Sequence, residues 1–307
     1  MLSIREEVPL SPLTTFKIGG SARFFAEVLD EEDIKAAALW ARGKTMPLVV
    51  LAGGSNVLIS DDGIDALVIK IASRSNHFMG TKLFADAGCN LLDMIKKASQ
   101  LGLGGWESLA GIPGTIGGAA RGNAGAFGTE IKDVLKSVTA FSVATFETRE
   151  FDNAECDLSY RHSFFKDHPE WIIVRVTLEL KKVSAGDSIA KIDNTIIERE
   201  RRHLQNVQAA GSYFTNPVAP DVVQAMFEQE KGIKSREGRV PAGWLIEKVG
   251  MKGAKVGGAI ASEQHPNYLV NTGDATAKDV VELAAMIKNA VSNRFGIELD
   301  EEAALLG

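Results

Sequence analysis

Two cysteines and five histidines among 307 residues leave little for metal or disulfide chemistry. Cys89 and Cys156 form no C-x-x-C pair, and the scattered histidines make no H-E-x-x-H pattern, so neither a disulfide framework nor a metal site is expected. No apolar run approaches the roughly 18 residues that a membrane helix needs. The opening segment carries Glu6 and Glu7 where a signal peptide would be apolar, so a reducing, cytoplasmic location is expected. Basic residues are in deficit, 34 against 40 acidic ones for a net charge of −6, which argues against nucleic acid as a partner. The common phosphate fingerprints are missing too. No G-x-x-x-x-G-K-[ST] occurs, and a G-x-G-x-x-G that starts at Gly102 and Gly104 is broken by Glu107.

Glycine is what the chain has in quantity, and it is concentrated. The run Ala110-Gly111-Ile112-Pro113-Gly114-Thr115-Ile116-Gly117-Gly118 is followed by Asn123-Ala124-Gly125-Ala126-Phe127-Gly128. Each glycine costs roughly 0.5–1 kcal/mol against alanine in a regular element, which a chain tolerates where its backbone must approach something closely. Successive N–H groups without side chains make anion-binding concavities, so a phosphate is the first ligand to expect. A second loop, Ala52-Gly53-Gly54-Ser55-Asn56, follows the apolar run Pro47–Leu51. Two such loops fit a ligand with several polar groups along its length, such as a dinucleotide.

The length suits two or three domains, and helical and strand patterns alternate without internal repeats. Strands are expected at Arg23–Val28, Pro47–Ala52, Ala66–Ile71 and Leu83–Ala87, with Val134–Phe146 and Ile172–Leu180 antiparallel. A helix capped by Asp30 is expected to stop at Gly43, and another begins at Asn90 with Leu91, Leu92, Ile95 and Ala98 on one face. A charged helix over Ser188–Arg202 reads as the link to a last unit. That unit closes with a helix from Thr276 to Arg294, capped by Thr276 and Asp279, and leaves residues 296–307 as a tail.

Eight motifs in register resemble the bacterial UDP-N-acetylenolpyruvoylglucosamine reductase family. They are Thr15-Phe16-Lys17-Ile18-Gly19-Gly20, the Gly53 loop, the Gly111–Gly128 loop, and Tyr160-Arg161-His162-Ser163-Phe164-Phe165-Lys166. Gly211–Pro217, Pro241–Glu247, Gly257–Asn271 and Leu299-Asp300-Glu301-Glu302 complete the set. The resemblance implies an α+β fold, with two FAD-binding subdomains of the vanillyl-alcohol-oxidase type and a third that binds the sugar nucleotide. The implied boundaries are 1–72 with the tail 297–307 packing near it, 73–187, and 188–296. The implied reaction is reduction of an enolpyruvyl UDP-sugar by NADPH through non-covalent FAD, in the cytoplasm and by a monomer.

The implied FAD contacts are Gly53, Gly54, Ser55, Asn56, Ala110, Gly111, Pro113, Gly114, Thr115, Gly118, Asn123 and Gly125. Tyr160, Arg161, Asn216 and His265 are the implied substrate contacts. By the same resemblance Arg161 faces the substrate carboxylate, where a guanidinium fork holds both oxygens as negative charge builds. Ser212 is the implied proton donor to the resulting enolate, a task a weakly acidic hydroxyl performs only against so basic an acceptor. Glu302 is the implied glutamate working opposite the arginine.

Some positions depart from the family pattern. Thr215 and His203 stand where lysines are common, Asn206 replaces a usual proline after Gln205, and Arg121-Gly122 replaces a small apolar residue and methionine. The short stretch between Leu180 and the Ser188 helix is expected to exclude the tyrosine-bearing loop of one class of these enzymes, leaving the compact class. Two other readings of the same loops stay open: a flavin oxidase of small alcohols or sugars, and a nucleotide-binding protein without activity. The oxidases often tether FAD through a histidine or cysteine, and neither glycine loop contains one.

Overall fold

The computed structural model describes residues 2–202 and 206–307, and the chain divides into two compact units. The first comprises residues 1–8, 22–54 and 65–201, and the second 9–21, 55–64 and 202–307. His203 and Gln205 lie outside the described residues.

Two sheets build the first unit. In the four-stranded sheet the order is Arg5–Pro9, Ser21–Val28, Ile64–Ile71, Leu48–Leu51, and the last two run parallel with Leu48 opposite Leu67. Between Ser21–Val28 and Leu48–Leu51 runs the helix Glu31–Gly43, whose Asp30 side chain accepts from the Asp33 N–H at 2.9 Å. That cap satisfies one of the helix's orphan donors, and Ile34, Ala37, Ala38 and Ala41 turn inward. Gly43 is the last helical residue rather than the stop, since Lys44 forms the C-cap in a right-handed conformation. The five-stranded antiparallel sheet runs Thr148–Asp152, Leu135–Ser142, Trp171–Glu179, Lys82–Asp86, Asn76–Met79. Its outermost strands, Thr148–Asp152 and Asn76–Met79, are absent from the sequence expectation because their residues are largely polar or exposed.

The helix Leu91–Gln100 buries Leu91, Met94, Ile95 and Ala98, with Leu92 only half-buried. It is capped as expected by Asn90, whose Oδ1 accepts from the Asp93 N–H at 3.0 Å. The charged helix begins earlier than its pattern suggests, at Ala185, and ends at Arg201. It belongs to the first unit, where Ser188 shares a 2.7 Å hydroxyl contact with Ser99 of the Leu91–Gln100 helix. Only residues 180–184 separate it from the strand Trp171–Glu179.

In the second unit a three-stranded antiparallel sheet, Lys255–Val256, Ala259–Ala261 and Leu269–Asn271, packs with the helices Ala242–Lys248 and Ala277–Phe295. The longer helix opens with the expected capping box, Asp279 N–H donating to Thr276 Oγ1 at 3.1 Å and Thr276 N–H to Asp279 Oδ2 at 3.0 Å. The motif Thr15–Gly20 is a weld within this unit. Thr15 Oγ1 donates to the Ala209 carbonyl at 2.7 Å, Asn271 Nδ2 donates to the Phe16 carbonyl at 3.1 Å, and Phe16 is fully buried. Its glycines are required by close approach, because a Cβ on Gly20 would stand 2.4 Å from the Asp61 carbonyl oxygen. The C-terminal residues are no loose tail: Ala304–Leu306 forms a strand parallel to Val57–Ile59, with Ala304 opposite Val57.

Candidate active site

In the first unit the two glycine loops meet. A Cβ on Gly53 would lie 2.7 Å from the Gly114 Cα, nearer than a side-chain carbon can come, so only glycine allows this approach. Gly111 and Gly114 hold left-handed backbone, at φ +83° and +130°. Among the described residues the N–H groups of Gly53, Gly114 and Thr115 donate to no protein acceptor. Closely packed loops with donors left over are what a pyrophosphate requires, so this part of the chain fits FAD. Thr115 Oγ1 accepts from the Gly118 N–H at 3.2 Å, and Gly118 is exposed with its missing side chain directed toward Ala52. Ala110 is fully buried and Pro113 exposed, at the two ends of the same turn. Gly117 serves packing: a Cβ there would meet that of Ala87 at 2.6 Å.

Asn123 keeps its side chain within the protein. It is fully buried at φ +42°, and its Nδ2 donates to Glu130 Oε2 at 2.9 Å and to the Ser159 carbonyl at 2.7 Å. Its Oδ1 accepts from the Lys132 N–H at 3.1 Å. The side chain is committed within the protein, where it ties the glycine loop to the turn that carries Arg161.

That turn is tight: Ser159 and His162 exchange main-chain hydrogen bonds at 3.3 and 3.1 Å, with Tyr160 and Arg161 between them. Arg161 is held at φ +58°, where glycine is usual, and such a conformation persists only when its surroundings enforce it. They do so here. Arg161 Nη2 donates to the Gly125 carbonyl at 3.2 Å, Lys166 Nζ donates to the Arg161 carbonyl at 2.7 Å, and Ser163 Oγ donates to the Arg121 carbonyl at 2.6 Å. The guanidinium lies 5.6 Å from the centre of the Tyr160 ring. Glu130 stands behind this group. Burial would raise its carboxyl, but Lys132, Asn123 and Arg161 outweigh that and hold it below the usual carboxylate value.

The second unit brings Ser212 and Glu302 together along the main chain. Glu302 N–H donates to the Tyr213 carbonyl at 2.7 Å, Thr215 N–H donates to the Asp300 carbonyl at 2.9 Å, and Phe214 pairs antiparallel with Glu301. The acidic run at the end of the chain is therefore a rung of the Ser212 segment, not a solvated tail. On its other side the segment is held by Asn267, which the sequence reading did not single out. Tyr213 N–H donates to the Asn267 carbonyl at 2.8 Å, Phe214 N–H to its Oδ1 at 3.0 Å, and its Nδ2 to the Phe214 carbonyl at 2.8 Å. Asn267 is 2% exposed, so these bonds have no competition from water. The signal in the sequence was an amide between Pro266 and Tyr268, just ahead of the strand Leu269–Asn271.

Asn216 uses its Oδ1 to accept the Ala242 N–H at 3.0 Å, which fixes the start of the helix Ala242–Lys248. Arg239 Nη1 donates to the Asn216 carbonyl at 2.9 Å. His265 stacks edge-on against Tyr268 at 4.9 Å, and burial lowers its pKa. Its Nδ1 is buried without a hydrogen-bond partner among the described residues. Asn56, expected among the cofactor contacts beside Ser55, donates its Nδ2 to the Glu302 carbonyl at 3.1 Å.

Comparison with known proteins agrees with this distribution. The family described as "FAD binding domain" matches residues 22–148, and "UDP-N-acetylenolpyruvoylglucosamine reductase, C-terminal domain" matches residues 202–306. The chain is 36% identical over 306 residues to the UDP-N-acetylenolpyruvoylglucosamine reductase of Solibacter usitatus, covering 100% of this chain and 97% of that one. It is 35% identical to the protein of the same name from Pseudomonas aeruginosa, covering 99% of each. The solved UDP-N-acetylenolpyruvylglucosamine reductase of Thermus caldophilus superposes with a TM-score of 0.80 at 30% identity, over 100% of both chains.

Proposed function

The chain belongs to the UDP-N-acetylenolpyruvoylglucosamine reductase family, and on that premise we propose that it works as a cytoplasmic monomer with NADPH as electron donor. It is an FAD-containing oxidoreductase of peptidoglycan synthesis that reduces the enolpyruvyl group of UDP-N-acetylglucosamine enolpyruvate to give UDP-N-acetylmuramate. The first unit holds the flavin in this reading, the second receives the sugar nucleotide, and the chain is of the compact class. The short connection at residues 180–184 supports that last assignment.

Bound FAD supplies a two-electron carrier between NADPH and the enolpyruvyl double bond. Around it, the N–H groups of Gly53, Gly114 and Thr115 offer donors to the pyrophosphate. Addition of hydride to the terminal carbon drives electron density onto the substrate carboxylate, and Arg161 opposes that charge with a fork matched to two oxygens. Its left-handed backbone, fastened by Lys166 and Gly125, fixes where the guanidinium starts from. Ser212 Oγ then gives its proton to the carbon bearing the carboxylate, and Glu302 is the third catalytic residue. Tyr160, Asn216 and His265 contact the nucleotide. Arg239, which donates to the Asn216 carbonyl, supplies positive charge where Thr215 replaces a lysine.

The observation that supports this reading most is the main-chain bond from Glu302 to Tyr213, the neighbour of Ser212. An oxidase of alcohols has no need of a proton donor at this place. The test is anaerobic: NADPH bleaches the flavin of the purified chain, and the enolpyruvyl nucleotide restores its colour with formation of the lactyl ether. Reoxidation by small alcohol-derived carbonyls but not by the nucleotide contradicts the reading.

A further inference from the structure

The strand Val57–Ile59 and the strand Ala304–Leu306 run parallel, and the ladder has an ordinary end. Asn56 contributes its carbonyl to the Ala304 N–H at 3.1 Å. Two residues back along the C-terminal segment, the carbonyl of Glu302 also takes a donor from Asn56. The donor is Asn56 Nδ2 at 3.1 Å, so one residue meets both sides of Ala303. The bond is part-buried and Ala303 beside it is 5% exposed, so water replaces it only in part when it is broken. The N–H of Glu302 is already fixed from the opposite direction by the Tyr213 carbonyl at 2.7 Å.

We propose that Asn56 is a positioning residue for Glu302, acting through the glutamate's main chain; this rests on the role of Glu302 given above. The peptide groups on both sides of the Glu302 Cα are pinned, one by the Ser212 segment and one by Asn56. With both fixed, the direction of the Cα–Cβ bond is fixed. Asparagine suits the task because its carboxamide gives a donor at the reach of one methylene, while its main chain still joins the ladder. Aspartate has the same shape and no donor, and it turns a carboxylate oxygen toward a carbonyl oxygen.

Asn56→Asp, with Asn56→Ser as the second variant should aspartate prevent folding, tests the assignment by three readouts. Amide exchange of the segment 303–306, measured without substrate, rises at least about tenfold if Asn56 holds the tail. Reduction of the FAD-saturated chain by NADPH slows less than reoxidation does. Reoxidation by the enolpyruvyl nucleotide slows about tenfold or more, as small misplacements of a working group do. In a Glu302→Gln background the Asn56 substitution slows reoxidation no further, because the group it positions has gone.

Unchanged exchange of the tail overturns the proposal. So does a loss of FAD affinity matched by an equal slowing of both half-reactions, which makes Asn56 a cofactor ligand. Full additivity with Glu302→Gln also overturns it. A native chain that the nucleotide never reoxidises defeats the reaction assigned to the protein. A native chain that turns over, with a variant that matches it, defeats the positioning role alone.

Discussion

Glu302 donates its main-chain N–H to the carbonyl of Tyr213 at 2.7 Å, and Tyr213 is the neighbour of Ser212. Residues some ninety apart in sequence are thereby placed on adjacent strands, and the serine segment is in turn clamped by the buried Asn267. The arrangement fastens the Ser212 segment within the second unit.

Asn267→Ala removes the acceptor and donor that serve Phe214, leaving a buried N–H and a buried carbonyl without partners. Each such group costs about 1–3 kcal/mol, so a loss of about 3 kcal/mol in unfolding free energy is expected. Urea denaturation followed by far-ultraviolet circular dichroism measures it. A midpoint equal to the native one contradicts the clamp.

Gly53→Ala puts a methyl 2.7 Å from the Gly114 Cα and must push the two loops apart. Weaker flavin binding is expected, by about tenfold or more if a single charge-assisted bond to phosphate is lost. Titration of the flavin-free chain with FAD reads this directly, and native affinity shows that the loops do not hold the cofactor.

Acid should act through Glu107. Burial alone would raise this carboxyl, but its own N–H, the Ser188 hydroxyl, the Gly105 N–H and Lys191 outweigh burial and hold it below its ordinary 4.5. The Ser188 hydroxyl donates at 2.8 Å and Lys191 lies at 3.4 Å, both from the helix Ala185–Arg201. A depressed folded value means the unfolded chain binds more protons. The stabilisation is complete above about pH 4.5 and is lost as pH falls through the folded value. Denaturation between about pH 6 and about pH 3 should show a shallower decline for Glu107→Gln than for the native chain. Equal slopes would mean that Glu107 adds nothing to acid sensitivity.

The glycine loops, the caps at Asp30, Asn90 and Thr276, and the central strands were legible because each is a local signal. Glycine density announces close backbone approach, and a capping side chain announces a helix start within three residues. What the sequence hid is made of long-range pairing. The run Asp300-Glu301-Glu302 has the composition of a solvated tail, yet its main chain pairs with Tyr213 and Thr215. Thr148–Asp152 exposes four of its five residues and gives no alternation to read. Asn56 and Asn123 both stand in glycine loops, where an amide suggests a phosphate donor; both direct the amide at protein carbonyls or carboxylates instead. Residue type revealed the chemistry available at these positions, while the choice of partner came from segments distant in sequence.

The most direct measurement is single-turnover stopped flow on Ser212→Ala under anaerobic conditions. Flavin reduction by NADPH should match the native rate, since the serine takes no part in it. Reoxidation by the enolpyruvyl nucleotide should slow at least about a hundredfold, or roughly 3 kcal/mol, the range for removal of a general acid. Ser212→Cys, which still has a proton to give, should fall between the two. Reoxidation of Ser212→Ala at the native rate would contradict the account, leaving the serine as a turn residue and the proton with another donor.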